Sequence, residues 1–410
     1  MEQKKTSLQL GILWNTWGNI FYLFCQWLLT ILVIRITNFE MGGEFALAMN
    51  LSNIFFAFAI YGMRNFQVSD LANEYSDSTY IMSRFFTICS AVLLACLFLG
   101  FFQYTPERFL IIISYVIFKM SEALFDIYSG IFQKKWRVDI IGKSLIIRGV
   151  LTTTIFIIAL VFTKNLLFSI IAMALTSYAC IYFFDMRHIN KLTRISLKNA
   201  AVYVKPLLIT CFPLAGYLLI LSIIGTTPRF FLERYLGSQS LGIYSSIATP
   251  TLIVQTLVIQ IFNPFITIFS EKFYEKDRKG FTTLLLKCLS LVGILAIFAF
   301  IGAFLLGDFA LGILYGDKIL PYTYLLLPLI FATILTALTW LLSGILTVVR
   351  SFKELVIINI CSLLIAIISS QYFIQNFGLQ GVNIATILPL LFQVVVLLFV
   401  LLRKVKIVMS

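Results

Sequence analysis

The chain has 410 residues, 60% of them hydrophobic and only 12% charged, with a mean hydropathy of +0.98. That balance excludes a soluble domain, and a single His beside forty Phe argues against an aqueous enzyme built on histidine chemistry. The net charge of +13 has no soluble surface to sit on, so it reads as loops facing anionic lipid and not as a nucleic-acid face.

A helix needs about 20 mostly apolar residues to cross the hydrocarbon layer, and twelve runs qualify. In chain order they are Leu10 to Ile34, Met41 to Met63, Ile81 to Phe102, Phe109 to Ile131, Ser144 to Phe162 and Leu166 to Met186. The second set is Pro206 to Thr226, Leu241 to Phe265, Phe281 to Leu306, Tyr322 to Val348, Leu355 to Ile374 and Gly381 to Leu402. The first run is too long for a cleavable leader and lacks a small-residue cleavage site, so it reads as helix 1. Roughly four times as many Lys and Arg fall in one alternating set of connections as in the other, which predicts both termini in the cytoplasm. Arg64, Arg84 and Arg148 are counted with the cytoplasmic set, and Arg35, Arg229 and Arg234 with the outer one.

The run that becomes helix 1 carries Asn15, Asn19 and Gln26 on one side, a polar stripe suited either to a sugar path or to interhelical hydrogen bonds. The fourth run holds Lys119, Glu122 and Asp126 at i, i+3 and i+7. A lone cation near the bilayer centre costs about 2.5 to 3.5 kcal/mol, so Lys119 is expected to face a bundle interior or a wet cavity. Two readings stay open. In one, Lys119 attracts an anionic substrate while Glu122 or Asp126 exchanges a proton or ion; in the other, Lys119 and Glu122 neutralise each other and lock the helix to its neighbours. Arg35, Arg229 and Arg234 would guide that anion through an outer vestibule or anchor helix ends to lipid, and Arg64 and Arg148 are candidates for the cytoplasmic, loading side.

The sixth run leads into a polar stretch in which His188 reads as a solvated loop residue, and the seven cysteines read as small packing residues with no metal-ligand spacing. Pro213, Pro250, Pro328 and Pro389 fall within later runs, which predicts bending in the second half.

Shifting the chain by 199 residues superposes Arg35 on Arg234, Gly43 on Gly242, Phe45 on Tyr244 and Ala46 on Ser245. A second echo, "YSGIFQKKWR" at Tyr128 and "LSGILTVVRS" at Leu342, follows a shift of 214. The reading is therefore all-α and integral to the membrane: a bundle of helices 1 to 6 over residues 1–190, a linker over 191–205, and a bundle of helices 7 to 12 over 206–410. An even number of crossings per half makes the two six-helix bundles parallel, an arrangement of transporters with substrate bound near the repeat interface.

The segments "PRFFLERYLGSQSLGIYSSIATP" at Pro228 and "YGMRNFQVSD" at Tyr61 resemble the Wzx-type polysaccharide flippases, of the superfamily that also holds the MATE antiporters and the lipid II flippases. The resemblance covers the whole chain in helix number and spacing, although lipid II flippases have two more helices. It implies a MATE-like fold in a bacterial cytoplasmic membrane, carrying undecaprenyl-diphosphate-linked oligosaccharide to the outer leaflet, with the diphosphate as the anion met by Lys119, Arg35, Arg229, Arg234, Arg148 and Arg64. Membrane lipids and other polysaccharide-assembly membrane proteins are the partners it implies. A MATE-like cation-coupled antiporter is the alternative. Short outer connections and the lack of a catalytic triad, phosphate loop or metal-ligand spacing argue against an enzyme, so no cofactor is expected beyond a proton or sodium gradient.

Overall fold

The computed structural model describes residues 2–70, 73–193, 200–251, 265–266 and 268–408, and among these all regular structure is helical. The chain forms two compact units, Met1–Ser222 and Ile223–Ser410.

In the first unit, α1 (Glu2–Ile36) is followed by α2 (Phe39–Ile60), which starts where the Asn38 side chain accepts a hydrogen bond from the Met41 N–H at 2.8 Å. A left-handed turn at Tyr61 and Gly62 ends α2 and begins the short α3 (Met63–Ser69). Ser76 caps α4 (Asp77–Phe101), and Pro106 opens α5 (Pro106–Lys134) at the position where its missing N–H costs nothing. The helices α6 (Val138–Thr163) and α7 (Leu166–Cys180) follow, α7 capped by Asn165. A π-helical segment, Ile181–Asp185, then passes into α8 (Met186–Leu192). The helix α9 (Val204–Ala248) leaves this unit and continues into the next.

Helix α5 is the hub, packing against α2, α4 and α7, while α1 lies along α6. The approach of α1 to α6 depends on Gly18 and Gly142: a Cβ on Gly142 would lie 2.1 Å from the Trp14 carbonyl oxygen, and one on Gly18 would lie 2.4 Å from the Gly142 oxygen. Met63, Tyr80, Ile127, Ile131 and Phe132 are the centre of this unit's core.

The second unit contains the end of α9, then α10 (Arg278–Tyr315), a 3-10 stretch (Asp317–Leu325), α11 (Leu326–Val348) and α12 (Phe352–Val408). Its core gathers Phe269, Phe281, Leu341, Ile345, Leu346, Leu397 and Leu401. Phe298, Phe304 and Phe309 on α10 are exposed, as lipid-facing residues are.

Nine of the described helical stretches are long and apolar enough to cross a membrane. The chain is thus a multi-pass membrane protein. Helix α5 is not among the nine, because Lys119, Glu122 and Asp126 lie in its middle. Two of the nine are broken internally by glycine, at Gly237 (φ 79°, ψ 174°) in α9 and Gly378 (φ 59°, ψ −132°) in α12. Both are conformations that only glycine takes readily. Most of the expected helix from Leu241 to Phe265, together with Arg194 and Lys198, lies outside the described residues.

The breaks repeat along the sequence. Trp136 after α5 and Arg350 after α11, both with positive φ, stand at the expected shift of 214, and so by position do Lys164 after α6 and Gly378, whose ψ angles differ (19° and −132°). The hydrogen bonds agree as well: Lys135 N–H to Ile131 O, Trp136 N–H to Gln133 O and Arg137 N–H to Phe132 O recur as Val349 to Ile345, Arg350 to Thr347 and Ser351 to Leu346. Of the residues that the 199-residue shift superposes, Phe45 packs against Tyr115 and Phe156, while Tyr244 donates to Asn383 Oδ1 at 3.1 Å.

The prolines sit differently from the expectation. Pro213 belongs to the first unit, Pro250 lies in the turn that ends α9, and Pro328 falls in the first turn of α11, where no hydrogen bond is lost; of the four, only Pro389 is interior to a helix of the second unit. Glycine, at Gly237 and Gly378, makes the internal breaks of these helices.

Candidate functional site

The charges of the first unit collect in two clusters along α5, with a third set between α6 and the π-helical segment. Lys119 Nζ lies 2.5 Å from Glu122 Oε2, the two side chains 15% and 12% exposed. The other Glu122 oxygen accepts a hydrogen bond from the Tyr22 hydroxyl of α1, and Lys119 Nζ stands 5.4 Å from the centre of the Phe56 ring. Tyr22 lies between Asn19 and Gln26 in the helical register, so it belongs to the polar stripe of α1 and carries that stripe to Glu122. Within the stripe the Asn19 amide donates to Asn15 O at 2.8 Å, while the Gln26 amide has no hydrogen-bond partner among the described residues.

Asp126 shares the i, i+3, i+7 spacing with Lys119 and Glu122 but meets different partners. Arg84 of α4 donates to Asp126 Oδ2 at 2.9 Å and Arg64 of α3 to Asp126 Oδ1 at 3.4 Å. Arg84 is 0% exposed and also donates to the Ala59 carbonyl at 2.5 Å, whereas Arg64 is 32% exposed and turns its other nitrogen to Gln133 at 3.1 Å. Arg84, counted above with the loops, is therefore an interior side chain.

Arg148 also proves to be interior. Its guanidinium stacks 4.4 Å from the Phe125 ring centre, donates to Asp185 Oδ2 at 3.0 Å and reaches Ser177 Oγ at 3.3 Å. Both members of the pair are fully buried, and Ser177 hydrogen-bonds Ser121, the neighbour of Glu122. Asp185 is the last residue of the π-helical segment, a local irregularity that frequently marks functional positions. His188 lies in α8 and not in a solvated loop; its Nδ1 stands 2.8 Å from the Phe184 carbonyl.

Just outside the apolar helices, Asp70 accepts the N–H groups of Glu74 at 2.9 Å and Tyr75 at 3.2 Å and the Tyr80 hydroxyl at 3.1 Å, with Lys134 at 3.9 Å. Burial pushes its carboxyl up, but these donors and the ammonium outweigh it and hold the group below its ordinary value.

The remaining expected residues lie apart from these clusters. Arg35 is exposed at the end of α1 in the first unit; Arg229, half-buried, and Arg234, exposed, are on α9 in the second. Among the described residues no group of His, Cys, Asp and Glu could hold a metal ion. A cavity of about 550 Å³, lined by Tyr61, Phe86, Leu208 and Phe212 with Lys205 at its polar edge, involves none of the paired charges. The sequence reading missed Tyr22, Arg84, Ser177 and Asp185. Arg84 and Asp185 carried a usable signal, each being an ionisable residue placed inside an apolar run.

Comparison with known proteins follows the same lines. The profile of a family described as polysaccharide biosynthesis protein matches residues 33–324. The capsular polysaccharide biosynthesis protein CapF of Staphylococcus aureus is 25% identical over 338 residues, covering 80% of this chain and 81% of that protein. Among solved structures, the lipid II flippase MurJ in an inward closed conformation superposes with a TM-score of 0.73 at 16% identity, over 97% of this chain and 90% of that one. The Vibrio cholerae MATE transporter VcmN gives 0.63 at 10% identity, over 99% and 97%. The fold is therefore MATE-like and nearer to this lipid II flippase than to this MATE transporter, despite the two further helices expected of lipid II flippases.

Proposed function

The chain belongs to the polysaccharide biosynthesis protein family, and we propose that within it this protein is a flippase for undecaprenyl-diphosphate-linked oligosaccharide repeat units. It moves them from the cytoplasmic to the outer leaflet of a bacterial cytoplasmic membrane and acts as a transporter, not an enzyme. The observation that carries this reading is the family match over residues 33–324, in a chain whose fold is shared with a lipid II flippase. Twelve crossings are proposed, counting α5 with the nine apolar stretches and dividing α9 and α12 at their glycine breaks.

The polar interior of the first unit supports the same reading. A lipid-linked diphosphate needs cations held at low dielectric beside hydroxyl and amide groups for the sugars. Lys119, Arg64 and Arg148 are cations of that kind, each held by a carboxylate, and Asn15, Asn19 and Gln26 line one side of α1. Arg35, Arg229 and Arg234 are assigned to guiding the diphosphate at the outer end. Glu122 and Asp126 are the acids through which a proton or sodium gradient would couple, since protonating either one frees its cation.

The test is a gene deletion followed by an assay of which leaflet holds the lipid-linked repeat units, read with a membrane-impermeant glycosidase. Complete units protected inside, and reached by the enzyme once the gene is restored, are expected. Units reaching the outer leaflet at the normal rate without the gene would reject the flippase and favour a cation-coupled antiporter.

A further inference from the structure

The Asp126 cluster has more donors than its acceptors use. Two guanidinium groups face one carboxylate, which leaves a local excess of one positive charge, because the nearby Lys134 is paired with Asp70. Arg84 Nε is fully buried with no hydrogen-bond partner among the described residues. The same is true of both amide atoms of Gln67, which lies one helical turn from Arg64 and is 0% exposed. Gln67 reaches this place because residue 130 is glycine: a Cβ there would lie 1.9 Å from Gln67 Oε1 and 3.5 Å from Arg64 Cγ. Orphaned buried donors beside surplus positive charge call for a ligand rich in acceptor oxygens.

The two arginines are not equivalent. Arg84 is anchored by the Ala59 carbonyl and has no room to leave, while Arg64 sits on the short α3, is partly exposed and has Gln133 as a second partner. Asp126, 21% exposed, stands between them. We propose that Arg64, Arg84 and Gln67 form a seat for a phosphate-class anion and that the Asp126 carboxylate is its built-in competitor, holding the two arginines until phosphate oxygens displace it. Arg84 then stays in place and Arg64 turns from Asp126 to the anion, whose negative charge offsets the surplus positive one. The seat itself follows from the geometry of α3, α4 and α5; identifying its anion with the lipid-linked diphosphate rests on the flippase reading above.

The experiment is a titration of the purified, detergent-solubilised full chain with inorganic pyrophosphate, followed by calorimetry. Asp126→Asn removes the competitor and is expected to tighten pyrophosphate binding about tenfold, while Arg64→Gln abolishes it in either background. Unchanged affinity in folded Asp126→Asn, or undiminished affinity in Arg64→Gln, would overturn the proposal. Should Asp126→Asn not fold, the half-exposed Arg64 decides alone: binding lost with Gln and partly kept with Lys supports the seat, and binding equal in both variants refutes it. Repeating the titration in nanodiscs of neutral or of phosphatidylglycerol lipid separates the sources. Competition by the anionic lipid assigns the seat to a headgroup, and its absence assigns it to the lipid-linked diphosphate. Pyrophosphate binding in a protein whose deletion leaves flipping normal would retain the seat and remove only the flippase.

Discussion

Asp185 and Lys119 are both ionisable residues within apolar helices, yet their pairs differ in what breaking them should do. The Arg148 and Asp185 pair is wholly buried, so Asp185→Asn leaves a guanidinium without its counter-charge and should cost about 3 to 5 kcal/mol. Thermal unfolding in detergent is expected to show that loss, and Arg148→Met with Asp185→Leu to recover most of it. The Lys119 and Glu122 pair is partly accessible, so Lys119→Gln should insert and fold while export falls. Normal export in that variant would remove Lys119 from transport, and Glu122→Gln added to it tests whether the pair serves folding alone. Asp70 adds a pH dependence outside the apolar helices. Its carboxyl is held below the ordinary value, so its contribution is complete above pH of about 4 and lost as pH falls through the folded-state value. The melting temperature of the parent should therefore drop more steeply below that pH than that of Asp70→Asn. The charges of α5 were legible in the sequence because a lysine amid apolar residues stands out. Pairings between helices were not, since Arg84 lies 42 residues from Asp126 of α5 and Arg148 of α6 lies 37 from Asp185. Counting charges by loop placed both arginines outside the interior, where the chain buries them.

Among the elements, glycines rather than prolines determine where helices break and where they touch. Gly237 and Gly378 have backbone angles that strain any L-residue, so Gly237→Ala and Gly378→Ala should each cost about 1 to 3 kcal/mol. Gly216, in a helix with nothing within 4 Å of an added Cβ, is the control, and Gly216→Ala should be neutral or slightly stabilising. Gly142→Ala tests contact instead of conformation. Its new Cβ meets backbone of α1 that no rotamer can move aside, so α1 and α6 must separate. Reduced thermal stability of Gly142→Ala, with Gly100→Ala unaffected, is the expected outcome. Hydropathy made the existence of the helices readable, and the repeated motif at Tyr128 and Leu342 marked two helix ends that share a positive-φ residue and the same terminal hydrogen bonds. The π-helical segment at Ile181–Asp185 left no such mark; it ends at Asp185, whose partner Arg148 stands on another helix.

For the whole molecule, the decisive quantity is which end faces the cytoplasm, because a flippase that starts at the wrong leaflet moves nothing useful. The bias of Lys and Arg toward alternate connections predicts that the end of the first unit bearing Lys134, Lys135 and Arg137 faces the cytoplasm. Arg64 bonds Gln133 of that same end, so this orientation would put the proposed anion seat at the leaflet in which lipid-linked units would be loaded. Single cysteines in a cysteine-free background test this with a membrane-impermeant maleimide. Gln103→Cys and Lys164→Cys, in connections after α4 and α6, should label in intact cells. Trp136→Cys and Lys276→Cys should label only after the membrane is opened. An even number of crossings in each half then requires the matching positions after α10 and within α12, Gly316 and Gly378, to label like Gln103 and Lys164. The reverse pattern would put the seat at the outer leaflet, and transport from the cytoplasmic side would lose its loading site.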